Sequence, residues 1–310
     1  MYSLGIDLGT TFTAAAIAAE GKAEVFHLGA RATSIPTIVH LSEEGELSIG
    51  EAAERRGQAD PARAARECAM LEELKKAVLE ANLALSRAGL APGTWGNVSG
   101  IDRGRGLFAI KPSGVPYAAL TVDSMVLVDL AGKAVEGRFK PSSDTSTHLE
   151  IYCEFSEVGG VTHTHSTVAT AFAQAEQPIP CLGTTHADHF DGQVPVTRRL
   201  TPAEVAKDYE RETGKVIVEA FLEYGIDHAR MPAVLVAGHG PFTWGRDAME
   251  AVANAIALEE VARMARDTIL LRRAFAQPVA PLPSHLLRKH FDRKHGPGAY
   301  YGQGQSWDGR

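Results

Sequence analysis

The stretch Val161-Thr162-His163-Thr164-His165-Ser166 is the strongest constraint on this chain. It reads as a strand, and in a strand residues i and i+2 point to the same face. His163 and His165 would therefore stand side by side. Two aligned imidazoles are either the first two ligands of a divalent metal or a hydrogen-bonded, half-buried pair. A third histidine favours the metal. His239 stands between glycines in Gly238-His239-Gly240-Pro241, at the end of the apolar run 233–237. Asp144, upstream, is a candidate oxygen ligand, although an aspartate taken alone more often belongs to a turn.

Composition removes several classes of function. The 310 residues allow one large or two smaller domains. A formal net charge of −7 and a pI near 6.0 argue against a dedicated nucleic-acid binder. Cys68, Cys153 and Cys181 show no paired spacing, which fits a reducing compartment without a disulfide framework. No apolar run reaches the ~18 residues of a membrane span. The N-terminus lacks a basic segment and carries Asp7 inside its apolar stretch, so it does not read as a signal peptide. The expectation is a soluble cytoplasmic protein, binding neither nucleic acid nor membrane.

The pattern changes near residue 68. Before it, short β elements are expected at 2–8, 12–18, 23–28 and 37–41, with a hairpin turn at Glu44-Gly45. Residues 51–67 read as a broken helix or linker. After it, Leu71, Leu74, Val78, Ala81 and Leu85 form one helical stripe. Strands are expected at 95–101, 107–110, 121–130, 161–166 and 233–237. Helices are expected at 147–155 and 167–175, and from Thr201-Pro202-Ala203-Glu204 to Tyr224, the tetrapeptide combining an N-cap, Pro at the first position and Glu at the third. Asp247 should cap a long helix to about Arg273. A basic helix at 284–295 precedes a glycine- and aromatic-rich surface tail.

Gly5-Ile6-Asp7-Leu8-Gly9-Thr10-Thr11 is a tight glycine turn between strands. The backbone at Gly9 and the hydroxyls of Thr10 and Thr11 suit a phosphate, and Asp7 a hydrated Mg²⁺. This opening, with Ala30-Arg31-Ala32-Thr33-Ser34-Ile35-Pro36 and Ile49-Gly50-Glu51-Ala52-Ala53, resembles the start of the DnaK-type heat-shock chaperone ATPase, an actin-like fold. The resemblance covers about residues 1–67. That family's second phosphate segment and adenosine pocket are not found in the sequence. The expectation is a small β-rich, non-catalytic fragment with a vestigial nucleotide loop.

From Met70 to about Gln303 the chain resembles the L-ribulose-5-phosphate 4-epimerase family of the class II aldolase/adducin-like superfamily. Thr94-Trp95-Gly96-Asn97-Val98-Ser99, Ile110-Lys111-Pro112-Ser113-Gly114 and Lys140-Pro141-Ser142-Ser143-Asp144-Thr145 carry it. So do the His163/His165 segment, Gly183-Thr184-Thr185-His186-Ala187-Asp188, Gly238-His239-Gly240-Pro241-Phe242, and Lys294-His295-Gly296 with Ala299-Tyr300-Tyr301-Gly302-Gln303. The resemblance implies a three-layer α/β/α domain with a central, mainly antiparallel sheet. Expected boundaries are 1–67, 68–303, and a tail at 304–310.

For the site, the resemblance implies metal ligation by Asp144, His163, His165 and His239. Three nitrogens and one oxygen suit Zn²⁺, with Mn²⁺ or Co²⁺ also compatible. It implies a phosphorylated ketopentose held by Asn97, Lys111, Ser113, Gly114, Ser142 and Ser143. It makes Asp188, and Tyr301 from a neighbouring subunit, the proton-transfer pair of a homotetramer. His290 and Arg293 are further contributors across the subunit boundary. A C4 centre without an acidic proton is inverted by retro-aldol cleavage between C3 and C4 and re-addition to the other face, with proton transfer on each side. Three alternatives compete with this reading. A fuculose- or rhamnulose-phosphate aldolase would carry a glutamate where this chain has Asp144. A nucleotide-binding chaperone fragment would need the second phosphate loop. A non-enzymatic adducin-like domain would have no need of the whole metal shell.

Overall fold

The computed structural model describes the backbone at residues 2–8, 12–19, 22–26, 34–36, 39–41, 47–49 and 61–300, and side chains over 69–300. It divides into two units, Met1–Leu71 and Glu72–Arg310.

In the first unit, β1 (Tyr2–Leu8), β2 (Phe12–Ala19) and β3 (Lys22–Phe26) pair antiparallel in that order. β4 (Ser34–Pro36), not expected from the sequence, also pairs with β2. β5 (Val39–Leu41) and β6 (Leu47–Ile49) form a separate two-stranded ladder at the expected hairpin. Asp7 lies in β1 opposite Ala14, while Gly9, Thr10 and Thr11 fall outside the described residues. Residues 61–67, expected within a broken helix or linker, instead open one 27-residue helix, α1 (Pro61–Arg87). Proline is favourable at a first helical position because its missing N–H would be unpaired there anyway.

The second unit is built on seven strands: β7 (Asn97–Asp102), β8 (Leu107–Ile110), β9 (Val126–Asp129), β10 (Ala134–Glu136), β11 (Gly160–His163), β12 (Ala233–Leu235) and β13 (Pro241–Gly245). Their order is β10-β9-β8-β7-β11-β13-β12, and the neighbouring strands pair antiparallel. Six helices accompany them after α1: α2 (Thr145–Glu154), α3 (Thr167–Gln174), α4 (Thr184–Ala187), α5 (Pro202–Tyr224), α6 (Ala248–Ala274) and α7 (Ser284–His295).

The side chains of β7 show why helices cover both faces. Ser99 Oγ meets His148 Nδ1 and Tyr152 Oη of α2, each at 2.7 Å. A Cβ on the adjacent Gly100 would instead meet Val78 of α1 and Ala248 of α6. Successive residues of a strand face opposite ways, so the sheet lies between α2 on one side and α1 with α6 on the other. This is the expected α/β/α sandwich. Its core includes Phe108, Tyr152, Phe155, Phe221, Phe242 and Trp244, all buried.

Several expected boundaries move for local reasons. Residues 121–125 do not join β9. Thr121 instead caps a short 3-10 turn, with Ser124 Oγ accepting from its N–H at 2.9 Å and donating to its carbonyl at 2.6 Å. Trp95 and Gly96 stay outside β7, with Gly96 at φ +71°, where a Cβ would come within 2.8 Å of the His163 carbonyl. The predicted cap of α5 forms as read: Thr201 Oγ1 accepts from Glu204 N–H, and Glu204 accepts from the Thr201 N–H at 2.7 Å. The histidine strand ends at His163 and does not extend to Ser166. The chain must leave the sheet there because α3 begins at Thr167. The buried Glu259 carboxylate of α6 accepts from the N–H groups of Val168 and Ala169 at 3.0–3.1 Å. Hydrogen bonds to a charged group are worth about 1.5–3 kcal/mol each, so the turn after His165 is firmly fixed.

Candidate metal and substrate site

In the ladder registers His163 stands opposite both Asn97 of β7 and Phe242 of β13. These three side chains therefore share the α2 face of the sheet. His163 stacks on Phe242, ring centroids 4.2 Å apart, and its Nδ1 donates to the Pro241 carbonyl at 2.9 Å. That bond leaves Nε2 free. His165 follows just past the strand end, and His239 comes from the loop between β12 and β13. The ring centroids are 4.8 Å (His163–His165), 4.8 Å (His163–His239) and 5.0 Å (His165–His239) apart. One nitrogen from each lies within 4.8 Å of the others.

This donor set fits a divalent ion. Burial first, and His163 with His165 next, push the His239 imidazole down to about 4. Burial and then His163 also lower His165. Both are thus neutral near pH 7, the form that ligates metal. Asp144 is the N-cap residue of α2 and lines the same pocket. Burial raises its carboxyl, but His163, His148, the Asn97 hydrogen bond and His239 outweigh this and hold it below the ordinary carboxylate range. Its Oδ2 accepts from Asn97 Nδ2 at 2.6 Å. Asn97 Oδ1 is buried and unpartnered, an acceptor left for a donor that enters the pocket.

The pocket has a volume of about 610 Å³. Its far wall is the pair of loops rich in hydroxyls. They are laced together by Ser113 N–H to the Lys140 carbonyl and Ser142 N–H to the Lys111 carbonyl, both 3.0 Å. Ser113, Gly114, Ser142, Ser143 and Lys111 all line the pocket with the histidines. Lys111 is buried, donates to the Thr94 carbonyl at 3.3 Å and lies over the Tyr117 ring at 4.9 Å. Burial lowers its ammonium, an effect Asp144 opposes. Convergent hydroxyls, backbone N–H groups and one lysine are a phosphate-binding chemistry. The structure therefore gathers the expected metal and phosphate residues around one cavity.

Of the expected proton-transfer residues, Asp188 stands apart. Asp188 is not among the described residues lining this pocket. Its carboxylate accepts from Arg293 at 3.1 and 2.8 Å and lies 3.1 Å from His290 Nδ1. The sequence points to His290 and Arg293 as site contributors, and the structure groups both with Asp188. Burial raises the Asp188 carboxyl, but the hydrogen bonds from Arg293 and His290 prevail and lower it. Tyr301 lies outside the described residues. His186, two residues before Asp188, donates from Nε2 to the Gly192 carbonyl at 2.7 Å.

The residues lining the pocket to which the sequence assigns no role include Trp95, Tyr209 and Glu210. Trp95 is 59% exposed and lies near His165, with ring centroids 6.2 Å apart. Tyr209 and Glu210 enter from α5. Trp95 belongs to a motif that carries the resemblance, so its place beside Asn97 is a usable signal; Tyr209 and Glu210 have none.

The fold and site define the class, and comparison with known proteins agrees. The family described as Class II Aldolase and Adducin N-terminal domain matches residues 76–266. The chain belongs to the class II aldolase/adducin family. Among similar proteins, the L-ribulose-5-phosphate 4-epimerases UlaF of Salmonella paratyphi B and Salmonella typhi are each 54% identical over 233 residues, 75% of this chain and 100% of theirs. Of solved structures, an L-fuculose 1-phosphate aldolase is 25% identical with a TM-score of 0.57, covering 71% of this chain and 95% of that one. The L-fuculose-1-phosphate aldolase of Thermus thermophilus is 27% identical with a TM-score of 0.51, covering 66% and 97%. Residues 3–71 match the family described as Hsp70 protein. None of the described helices is long and apolar enough to cross a membrane.

Proposed function

We propose that this chain is a metal-dependent L-ribulose-5-phosphate 4-epimerase, converting L-ribulose 5-phosphate to D-xylulose 5-phosphate. The observation that carries the reading is the three-histidine cluster facing the two serine loops across one cavity. The identity to the UlaF epimerases over their full length supports it. His163, His165 and His239, with Asp144 beside them, would hold Zn²⁺, or Mn²⁺ or Co²⁺ in its place. Such an ion supplies Lewis-acid stabilisation of negative charge on sugar oxygens.

The chain's own residues account for the rest. Ser113, Gly114, Ser142 and Ser143 bind the 5-phosphate, and Lys111 adds positive charge behind them. Asn97 Oδ1 accepts a sugar hydroxyl. Proton removal from the C4 hydroxyl lets the C3–C4 bond break, leaving an enediolate and an aldehyde that carries the phosphate. The aldehyde turns its other face to the enediolate, the bond reforms, and a proton returns to the C4 oxygen from the opposite side. Asp188 and Tyr301 take these two proton-transfer roles. Asp188 does not line the pocket of its own chain, which supports sites completed across subunits, with His290 and Arg293 at the same boundary; the assembly we propose is a homotetramer. The protein works in the cytoplasm, and residues 1–67 take no part in the chemistry.

Chelation tests this reading. Protein stripped of metal should lose epimerase activity, and added Zn²⁺ or Mn²⁺ should restore it. A chain begun at Met70 should respond in the same way. Full turnover in protein shown by elemental analysis to be metal-free would refute it.

A further inference from the structure

We propose that Tyr209 is a positioning residue for His239, and that its hydroxyl sets how tightly the three-histidine site grips its ion. The inference rests on the metal-site reading above. His163 needs no such help, because the Pro241 carbonyl fixes its Nδ1. His239 is placed differently. It sits on a loop between two glycines, and its Nδ1 lies 3.3 Å from Tyr209 Oη. The two rings are 6.1 Å apart between centroids, inclined at 37°.

The placement of Tyr209 is built into α5. The helix is interrupted at Asp208, where φ −164° and ψ 81° are non-helical. Asp208 Oδ1 then accepts from the Arg211 N–H at 3.3 Å, so that the helix restarts with its own cap. The break is pinned to α2, the helix that begins beside Asp144. Thr147 Oγ1 donates to the Glu210 carbonyl at 2.6 Å, and Arg211 Nε to Glu150 at 2.8 Å. Gly214 permits the close approach, since a Cβ there would lie 2.6 Å from Glu150 Cβ. The Tyr209 carbonyl is held by Thr213 Oγ1 at 2.7 Å. The backbone around Tyr209 is therefore fixed by contacts to α2 and within α5, and its hydroxyl is presented to His239.

A histidine that binds metal through one nitrogen carries a proton on the other. The oxygen that accepts this proton fixes the tautomer and the ring angle. Removing such a partner typically costs about 10–100-fold in metal affinity. The test is Tyr209→Phe in the full chain, which deletes only the oxygen. Competition with a chromophoric chelator should give a Zn²⁺ dissociation constant raised about 10-fold or more. The visible absorption bands of the Co²⁺-loaded protein should shift, while the unfolding midpoint of the metal-free protein stays where it was. Equal Zn²⁺ affinity and an unchanged Co²⁺ spectrum in Tyr209→Phe would overturn the inference and leave the metal site standing. Failure of the unaltered protein itself to bind either ion would overturn both.

Discussion

His165→Ala should lose bound metal and epimerase activity together. The substitution takes one of three nitrogens from a cluster whose ligand atoms lie within 4.8 Å of one another. His163 and His239 remain with Asp144 beside them, but the shell has lost one of its three nitrogens, and its grip on a divalent ion should weaken steeply against competition from water and buffer. His165 is only half-buried and lies past the end of β11, so the sheet registers that place His163 opposite Asn97 and Phe242 persist. Elemental analysis should find far less than one ion per chain, activity should fall to background, and far-ultraviolet circular dichroism should be unchanged. Retained stoichiometric metal with full turnover would remove His165 from the site.

The second large effect concerns Asp188 and Tyr301. Asp188→Asn and Tyr301→Phe should each lower turnover while metal content stays intact. General acid–base groups contribute about 10²–10⁴-fold, and losses of that order are expected. Because Asp188 does not line its own chain's pocket, subunit mixing is informative. His165→Ala and Tyr301→Phe are each inactive alone for different reasons. Co-assembled in equal amounts, they should regain activity, since about a quarter of the subunit boundaries in a random ring would join an intact metal pocket to an intact tyrosine. No recovery after verified exchange would place Tyr301 with its own chain's metal. Wild-type turnover in either single variant would remove that residue from the chemistry.

The site is more legible in the sequence than the fold that carries it. The His163, His165 and His239 cluster is readable because a candidate metal site calls for particular residue types, and strand periodicity with flanking glycines marks them. Strand periodicity alone puts His165 on the strand. It lies just beyond it, because Glu259, 91 positions after Val168, captures the start of α3 and forces the turn. No local pattern reports that contact. Strand β13 escapes the sequence for a similar reason. It begins at Pro241 and spans five residues, and only its pairing with β11 and β12 makes it a strand. Tyr209 and Glu210 are invisible because Lys207-Asp208-Tyr209-Glu210-Arg211 is compatible with an uninterrupted helix. The break at Asp208 is imposed by contacts from Thr147 and Glu150 of α2. The serine loops, by contrast, are readable from composition and resemblance together, and their backbone lacing supplies the physical reason that they act as one surface.

Incubation of the metal-loaded protein with L-ribulose 5-phosphate, followed by proton NMR, tests the central claim most directly. Inversion at C4 should give a mixture of L-ribulose 5-phosphate and D-xylulose 5-phosphate, approached from either sugar, with no free aldehyde accumulating. A release of separate three-carbon and phosphorylated two-carbon fragments, or an unchanged spectrum with metal in place, would contradict it.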